Sequence, residues 1–493
     1  MKHLIHAEWT KFRTVRGWVI GMVIAIPLTV LIGLLGPAGS SFSCAGPNGE
    51  SCAGQTPPKG PDGTPVLDTF MFVHRTLSGD GAITARVAVL EDAEPWAKAG
   101  VMFKQGTEPG SPYAATLVTG DHGVRMQYNY TEDEGGDQKS TSDYQWVRLS
   151  RDGPLLTGAV SQDGKSWQTV SATQLDLGET VEAGMFVSSP EHVETQSTFG
   201  GLDSTGNRTF ATTTFDEVRT DGDWSADWRG SFMGGPDGPE PSGAPTSDGP
   251  GFTESGGEFT VAGTGDIAPI PASTASLGKT VENTLVGVFA GLIAVLVVAT
   301  LFVTSEHRRG LIRTSFAANP RRGQLLAAKA IVIGGVSFVV GVTAAALTVP
   351  LVEQLELAKG FYLYPTSGLT ELRVIVGIGL LFAVAAVLAV AVGSLLRRSA
   401  GTVTAMIVGI VLPYLLAVAS VLPTGPAEFL TTVTPAAAFA IQQSVQEYPQ
   451  VSASYTPVEG YFPLSPIGGL AVLGVYAVVA MAFAVVASRR RDA

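Results

Sequence analysis

Six stretches of this chain run for 19 residues or more without an Asp, Glu, Lys or Arg: Trp18–Gly36, Asn283–Val303, Ala330–Val352, Val374–Leu396, Gly401–Leu422 and Ile467–Ala487. At 1.5 Å of rise per residue, about 20 apolar residues in a helix cross the hydrocarbon core of a bilayer. Within that core every backbone amide must find its partner inside the segment, so each run is read as a helix. The expected fold class is an α-helical membrane protein with six transmembrane helices. A mean hydropathy of +0.27 agrees with it. A cleaved signal peptide is the rival reading of the first run, with Gly36 and Ala38 as small residues at a cleavage site. The run is longer than a typical signal core, so it is read as span 1.

The charges are segregated. Pro37–Thr280 holds 14 Lys and Arg against 33 Asp and Glu, whereas the rest of the chain holds 17 against 10. Of those 17 basic residues, 15 fall at the N-terminus, in Thr304–Lys329, at Arg397-Arg398 and at Arg489–Arg491. Basic loops stay cytoplasmic, which places both termini inside the plasma membrane and the acidic segment outside. An acidic outer part offers nothing to phosphates, so no nucleic-acid partner is expected. Cys44 and Cys52 follow span 1. Outside the cell a disulfide closing a small loop is the natural reading, and two free thiols remain open. No metal site is expected from two soft ligands without a nearby His.

Segment 37–65 reads as a linker carrying the cysteines. From 66 to 268, short runs alternate apolar and polar residues, among them Phe70–Arg75, Ala82–Leu90, Ala99–Lys104, Tyr113–Thr119, Val124–Tyr130, Trp146–Arg151, Leu155–Ser161, Ala183–Ser188 and Thr212–Val218. Asp152-Gly153 and Asp163-Gly164 supply hairpin turns, so this is an antiparallel all-β sandwich. The order G-D-G-A-I-T-A-R-V (79–87), W-A-K-A-G-V-M-F-K (96–104), W-V-R-L-S-R (146–151), S-Q-D-G-K-S-W (161–167) and T-T-F-D-E-V (213–218) resembles the concanavalin-like, laminin-G-like jelly roll over a core of 68–220. Gly257–Ile267 is a further strand, read either as part of the sandwich or as linker. Glucanases of that type need paired carboxylates on one strand. Here Glu91-Asp92-Ala93-Glu94 and Glu132-Asp133-Glu134 sit in turns, so no enzyme activity is expected. Trp96, Tyr128 and Trp167 suit sugar binding but are read as core or rim packing. A second linker, 269–282, leads to the remaining spans.

Two basic segments border the membrane on the inner side. In 1–17, Ile5, Trp9 and Phe12 recur at helical spacing opposite Lys2, Lys11, Arg13 and Arg16, giving an interfacial amphipathic helix. Thr304–Lys329 carries six basic residues against Glu306, with Leu311, Ile312 and Phe316 at helical spacing and a stop at Asn319-Pro320. A loop that only fixes topology and binds anionic lipid is the simpler reading of its charge.

The ordered pattern E-H-R-R-G-L-I-R-T (306–314), N-P-R-R-G (319–323) and A-A-K (327–329) resembles the inner loop of six-span ABC-2 exporter permeases. The N-terminal E-x-x-K-x-x-x-x-R (8–16) is similar to the elbow helix of the same family. The resemblance implies a coupling site at Glu306, Arg308, Arg309, Gly310, Arg313, Asn319, Pro320 and Arg321. It implies an elbow helix using Glu8, Trp9, Lys11, Phe12 and Arg16. A separate ABC ATP-binding subunit would hold the ATP, with no cofactor on this chain. Two permeases would pair as a homodimer or heterodimer in the lipid bilayer. Family members ordinarily have a short first outer loop, so the β insertion is a departure.

Phe429–Val445 is apolar but broken by Pro435, so it is read as a re-entrant or outer-face helix pair. Ser273–Thr280 looks like a phosphate loop, but it precedes a membrane span on the side without ATP and is set aside. Gly287-x-x-x-Gly291 offers a helix-packing face, and Pro27, Pro350 and Pro413 offer kinks. The leading expectation is a permease subunit of an ATP-driven exporter. The alternative is a membrane-anchored module whose sandwich senses an extracellular ligand, with no need for an ATPase.

Overall fold

In the computed structural model, the described residues are 1–39, 56–88, 90, 93–136, 144–198, 201–225, 227–235, 238–241, 249–272, 279–308, 322–419, 421–453 and 455–491. Among these described residues, six helices are long and apolar enough to cross a membrane. A large β domain lies between the first and second of them.

Span 1 is the helix Arg16–Gly39, and a separate helix Lys2–Thr14 precedes it, with Val15 extended between the two. Span 2, Val288–Arg308, starts five residues later than the apolar run, because Val281–Thr284 forms its own helical turn. Span 3, Arg322–Ala358, keeps Pro350 inside it. The expected loop Thr304–Lys329 is therefore shorter than its sequence suggests, since both of its ends are helical. The ion pair Glu306–Lys329 ties those ends together (Lys329 Nζ–Glu306 Oε1, 2.7 Å).

Span 4 is Gly368–Leu396, capped at its start by the Ser367 hydroxyl accepting from the Thr370 amide. Arg397 then takes a left-handed conformation (φ 55°), which turns the chain into span 5. Span 5 is α-helical over Ser399–Met406, widens into a π turn at Ile407–Val411, and resumes as Leu412–Val418. Pro413 has no N–H to continue the α ladder, and a local widening is the usual accommodation. Thr424–Val433 and the 3₁₀ helix Pro435–Gln442 follow as two short helices, the second fully buried, before span 6 (Pro466–Arg491).

Spans 1 and 2 touch through small residues. A Cβ added to Gly287 would stand 2.0 Å from the Thr29 carbonyl oxygen, and one on Gly291 would stand 2.0 Å from the Thr29 hydroxyl. The helices approach closely because both positions lack a side chain.

The β domain is built around one 19-residue strand, Phe70–Ala88. Two of the expected runs are thus a single strand, bent at Gly79 (φ 71°). Its first half pairs with Thr180–Ser188 and Arg229–Gly235. Its second half pairs with Tyr144–Asp152 and Ala211–Trp224. The strand therefore passes from one layer to the other, and the core between the layers is filled by Val73, Ile83, Val101, Val147, Met185 and Phe215. Glu258–Gly263 pairs antiparallel with Ala211–Phe215. Strands absent from the sequence reading include Gln168–Gln174, the hairpin of His192–Thr198 with Gly201–Asn207, and Arg229–Gly235. Their sequences hold few apolar residues, and these do not alternate regularly with polar ones, so no period of two is visible in them.

The chain enters and leaves this domain side by side, with Val66–Asp68 paired to Ile267–Pro269. Two fully buried lysines fix these closing strands. Lys98 Nζ donates to Asp266 Oδ1 (2.6 Å) and the Ile267 carbonyl (2.8 Å). Lys104 Nζ donates to Asp68 Oδ2 (2.9 Å) and Tyr130 Oη (2.8 Å). Trp96 is buried and stacks on His122 at 3.9 Å, while Tyr128 packs against the core and Trp167 is half-buried.

Candidate functional site

The N-terminal helix buries an unusual pair of residues, Glu8 and Phe12, one turn apart. Burying a carboxylate without partners costs several kcal/mol, so its surroundings must supply cations. Two arrive from different directions. Lys11 Nζ, three residues along the same helix, lies 2.8 Å from Glu8 Oε1. Lys329 Nζ, from the start of span 3, lies 2.7 Å from Glu8 Oε2. Both lysines also reach Glu306 Oε1 at the end of span 2, at 3.1 Å and 2.7 Å.

The four charges form a neutral ring of two acids and two bases, and it joins the N-terminal helix to the adjoining ends of spans 2 and 3. Glu8 and Lys329 are shut off from solvent at 1% and 2% exposure. Below the ring lies an aromatic floor. The Phe302 ring centroid is 4.9 Å from Lys329 Nζ, and Phe12 and Trp18 meet Phe302 edge-on at 6.1 and 5.1 Å. The lysine thus gains a π face in addition to its two carboxylates. Burial pulls the Lys11 ammonium down, but the hydrogen bond and charge of Glu8 and the charge of Glu306 outweigh it, and its pKa is raised. Glu306 Oε2 is buried and finds no partner among the described residues.

Of the expected elbow residues, Glu8, Lys11 and Phe12 converge on this ring. Trp9 is 43% exposed and Arg16 is exposed, so the buried stripe is turned one position from the expected Ile5–Trp9–Phe12 set. Glu8 takes the inward place because Lys329 awaits it there. Of the expected coupling residues, Glu306 lies in the ring and Arg308 ends span 2. Arg309, Gly310, Arg313, Asn319, Pro320 and Arg321 lie outside the described residues, as do Cys44 and Cys52. In the sequence Lys329 stands among the loop's basic residues and closes the A-A-K of the family pattern, but it is not among the expected site residues. The signal for more was there: an isolated lysine opening a charge-free run needs an acid once buried.

At the other end of the spans the β domain and its exit segment are tied to the loop that precedes span 6. The Gln450 side-chain amide donates to the carbonyls of Tyr130 (3.4 Å) and Thr131 (3.0 Å), and the Tyr461 hydroxyl accepts from the Ala272 amide (3.1 Å). Burial pushes the Glu282 carboxyl up, although the Ser444 hydroxyl and amide and the Val445 amide donate to it.

Several solved structures align with part of the chain. A functionally unknown protein from Saccharomyces cerevisiae aligns over 35% of this chain and 84% of its own, at 14% identity and a TM-score of 0.23. Scytalido-glutamic peptidase aligns over 41% and 100%, at 9% identity and a TM-score of 0.26. A GH43 protein from Bacillus licheniformis aligns over 22% and 24%, at 12% identity and a TM-score of 0.19. Alignments at this level do not relate the folds. No curated protein matches the chain. One family model, described as ABC-2 family transporter protein, matches residues 6–493, from the N-terminal helix through all six spans and the β domain, and the chain belongs to that family.

Proposed function

We propose that this chain is the membrane-spanning subunit of an ATP-driven exporter, with ATP bound and hydrolysed on a separate ABC subunit. The observation that carries the reading is the ring of buried Glu8, Glu306 and Lys329 closed by the half-exposed Lys11. It locks the N-terminal helix to the two helix ends that flank segment 309–321, so a push on that segment reaches spans 2 and 3 together. A flexible joint there would absorb the push, because motion passes between elements only through packed or ion-paired contacts.

In this reading both termini and segment 309–321 face the cytoplasm, and Arg308, Arg309, Gly310, Arg313, Asn319, Pro320 and Arg321 meet the ATP-binding subunit. The β domain, of jelly-roll type, stands outside, with Cys44 and Cys52 paired in its leading linker. Two permeases assemble in the plasma membrane. An open apolar groove of about 430 Å³ between spans 4, 5 and 6, lined by Leu388, Val392, Met406, Ile410, Val479 and Phe483, would suit a cargo with a hydrocarbon part. Mass spectrometry of what co-purifies tests this, and a cargo without such a part would refute it.

The test of the coupling reading is capture of an ABC ATP-binding subunit by this chain from native membranes. Arg309→Ala should weaken capture while leaving the folded chain in the membrane. A complex that survives deletion of Arg308–Arg322 would overturn it, as would labelling of that segment from outside the cell.

A further inference from the structure

On the β domain, three side chains that lie far apart in the sequence meet in a row. His74 stands on the long central strand, directly opposite Gly184 on one neighbouring strand and Arg229 on the other. Glu182 and Ser231 occupy the diagonal positions on those neighbours, opposite Thr76 and Phe72. Residues opposite one another, and those two along, share a face of the sheet, so all three project from the same side. His74 Nδ1 is 2.6 Å from Glu182 Oε2, and its Nε2 is 3.1 Å from Ser231 Oγ.

We propose that Ser231, His74 and Glu182 form a serine-type acyl-transfer centre that takes an ester or comparable activated acyl group, an activity separate from transport. Each member sits where that chemistry requires it. The imidazole is 3% exposed and stacked on Phe72 at 4.6 Å and 13°, which fixes its plane. A carboxylate at Nδ1 holds the hydrogen on that nitrogen and leaves the Nε2 lone pair for the serine hydroxyl. Glu182 is itself positioned, accepting from the Thr76 hydroxyl (3.2 Å) with Arg229 Nη2 at 3.5 Å. The hydrogen bond from His74 holds its carboxyl below the usual range. Toward the closing strands this face is sealed over Phe72, Met102 and Phe186. At the triad it opens, with Ser231 half-buried and the Arg229 side chain 60% exposed.

The step balances without an outside redox partner. Ser231 Oγ bonds to the acyl carbon as its proton passes to His74 Nε2, and the carbonyl oxygen becomes an oxyanion. The intermediate expels the alcohol, which takes that proton from His74. Water then attacks the acyl-serine, gives its proton to His74, and the acid leaves as the proton returns to Ser231. Ser231 and His74 are the catalytic residues, and Glu182 is a positioning residue.

The experiment is labelling of the full-length chain in detergent with a fluorophosphonate probe, read by peptide mass spectrometry. The expected adduct is on Ser231, absent in Ser231→Ala. In Glu182→Gln the labelling rate should fall by about tenfold or more and its pH profile should shift, because the tautomer is no longer fixed. Wild type labelled no faster than a folded Ser231→Ala, with unchanged unfolding temperature, would overturn the proposal. Should Ser231→Ala fail to fold, Ser231→Cys keeps a donor in place. Its alkylation by iodoacetamide should then titrate well below about 8.5, the ordinary thiol value, and an ordinary profile would overturn the proposal. Loss of ATPase capture would test transport alone, so the two readings fail separately.

Discussion

Lys329 meets Glu8 across 321 residues of sequence at 2.7 Å, and neither is open to solvent. Removing one member of such a pair leaves the other charged and buried. Lys329→Met should therefore destabilise the fold by about 3–5 kcal/mol. Thermal unfolding in detergent checks this. Lys329→Arg, which keeps the charge, should recover part of the loss. A neutral outcome for Lys329→Met would remove the ring from any account of how the inner helices are held.

Lys11 gives the ring a pH dependence. Its folded pKa is raised, burial notwithstanding, by Glu8 and Glu306. The stability it contributes is fully present below the ordinary lysine value and is lost as pH rises through the higher folded value. Unfolding temperatures of wild type and Lys11→Met should differ by a constant amount below about pH 10 and converge above it. A gap that widens at high pH would contradict the assignment.

Glu459, in the loop before span 6, shifts in the same direction for a different reason, and over a lower pH range. Burial pushes its carboxyl up to about 7, against a smaller opposing effect of Lys279. The folded state thus prefers the protonated acid, and the cost of ionising it is relieved as pH falls from above 7 toward the ordinary carboxylate range. Wild type should gain stability over that interval, and Glu459→Gln should lose that slope.

The contact of Gly287 and Gly291 with Thr29 sets the spacing of spans 1 and 2. Gly291→Leu should push the helices apart and cost about 1–3 kcal/mol, seen as earlier unfolding. Leucine at Gly335, where an added Cβ meets nothing within 4 Å, serves as the control.

Asp68 faces Lys104 inside the β domain, with both side chains at 1% exposure or less. Asp68→Ala should strand the ammonium and lower stability by about 3–5 kcal/mol. Since Val66–Asp68 pairs with Ile267–Pro269, hydrogen exchange should rise in both strands together. A rise confined to one strand would show that the lysine does not tie the entry to the exit.

The six helices and the β domain between them were legible in the linear order of residues. A membrane admits few solutions for a charge-free run of some 20 residues, and alternation with Asp-Gly turns marks strands locally. The polar strands escaped notice because neither face of Gln168–Gln174 is fully buried. The family pattern pointed to Glu8, Lys11 and Glu306 as residues of interest, but not to their meeting. That needed Lys329, brought in by the packing of span 3 against the N-terminal helix. The His74–Glu182–Ser231 row was likewise invisible, because strand pairing across 108 and 157 residues decided it. Local physics writes helices and turns into short windows of sequence, whereas a buried charge acquires its partner only when distant segments fold against one another.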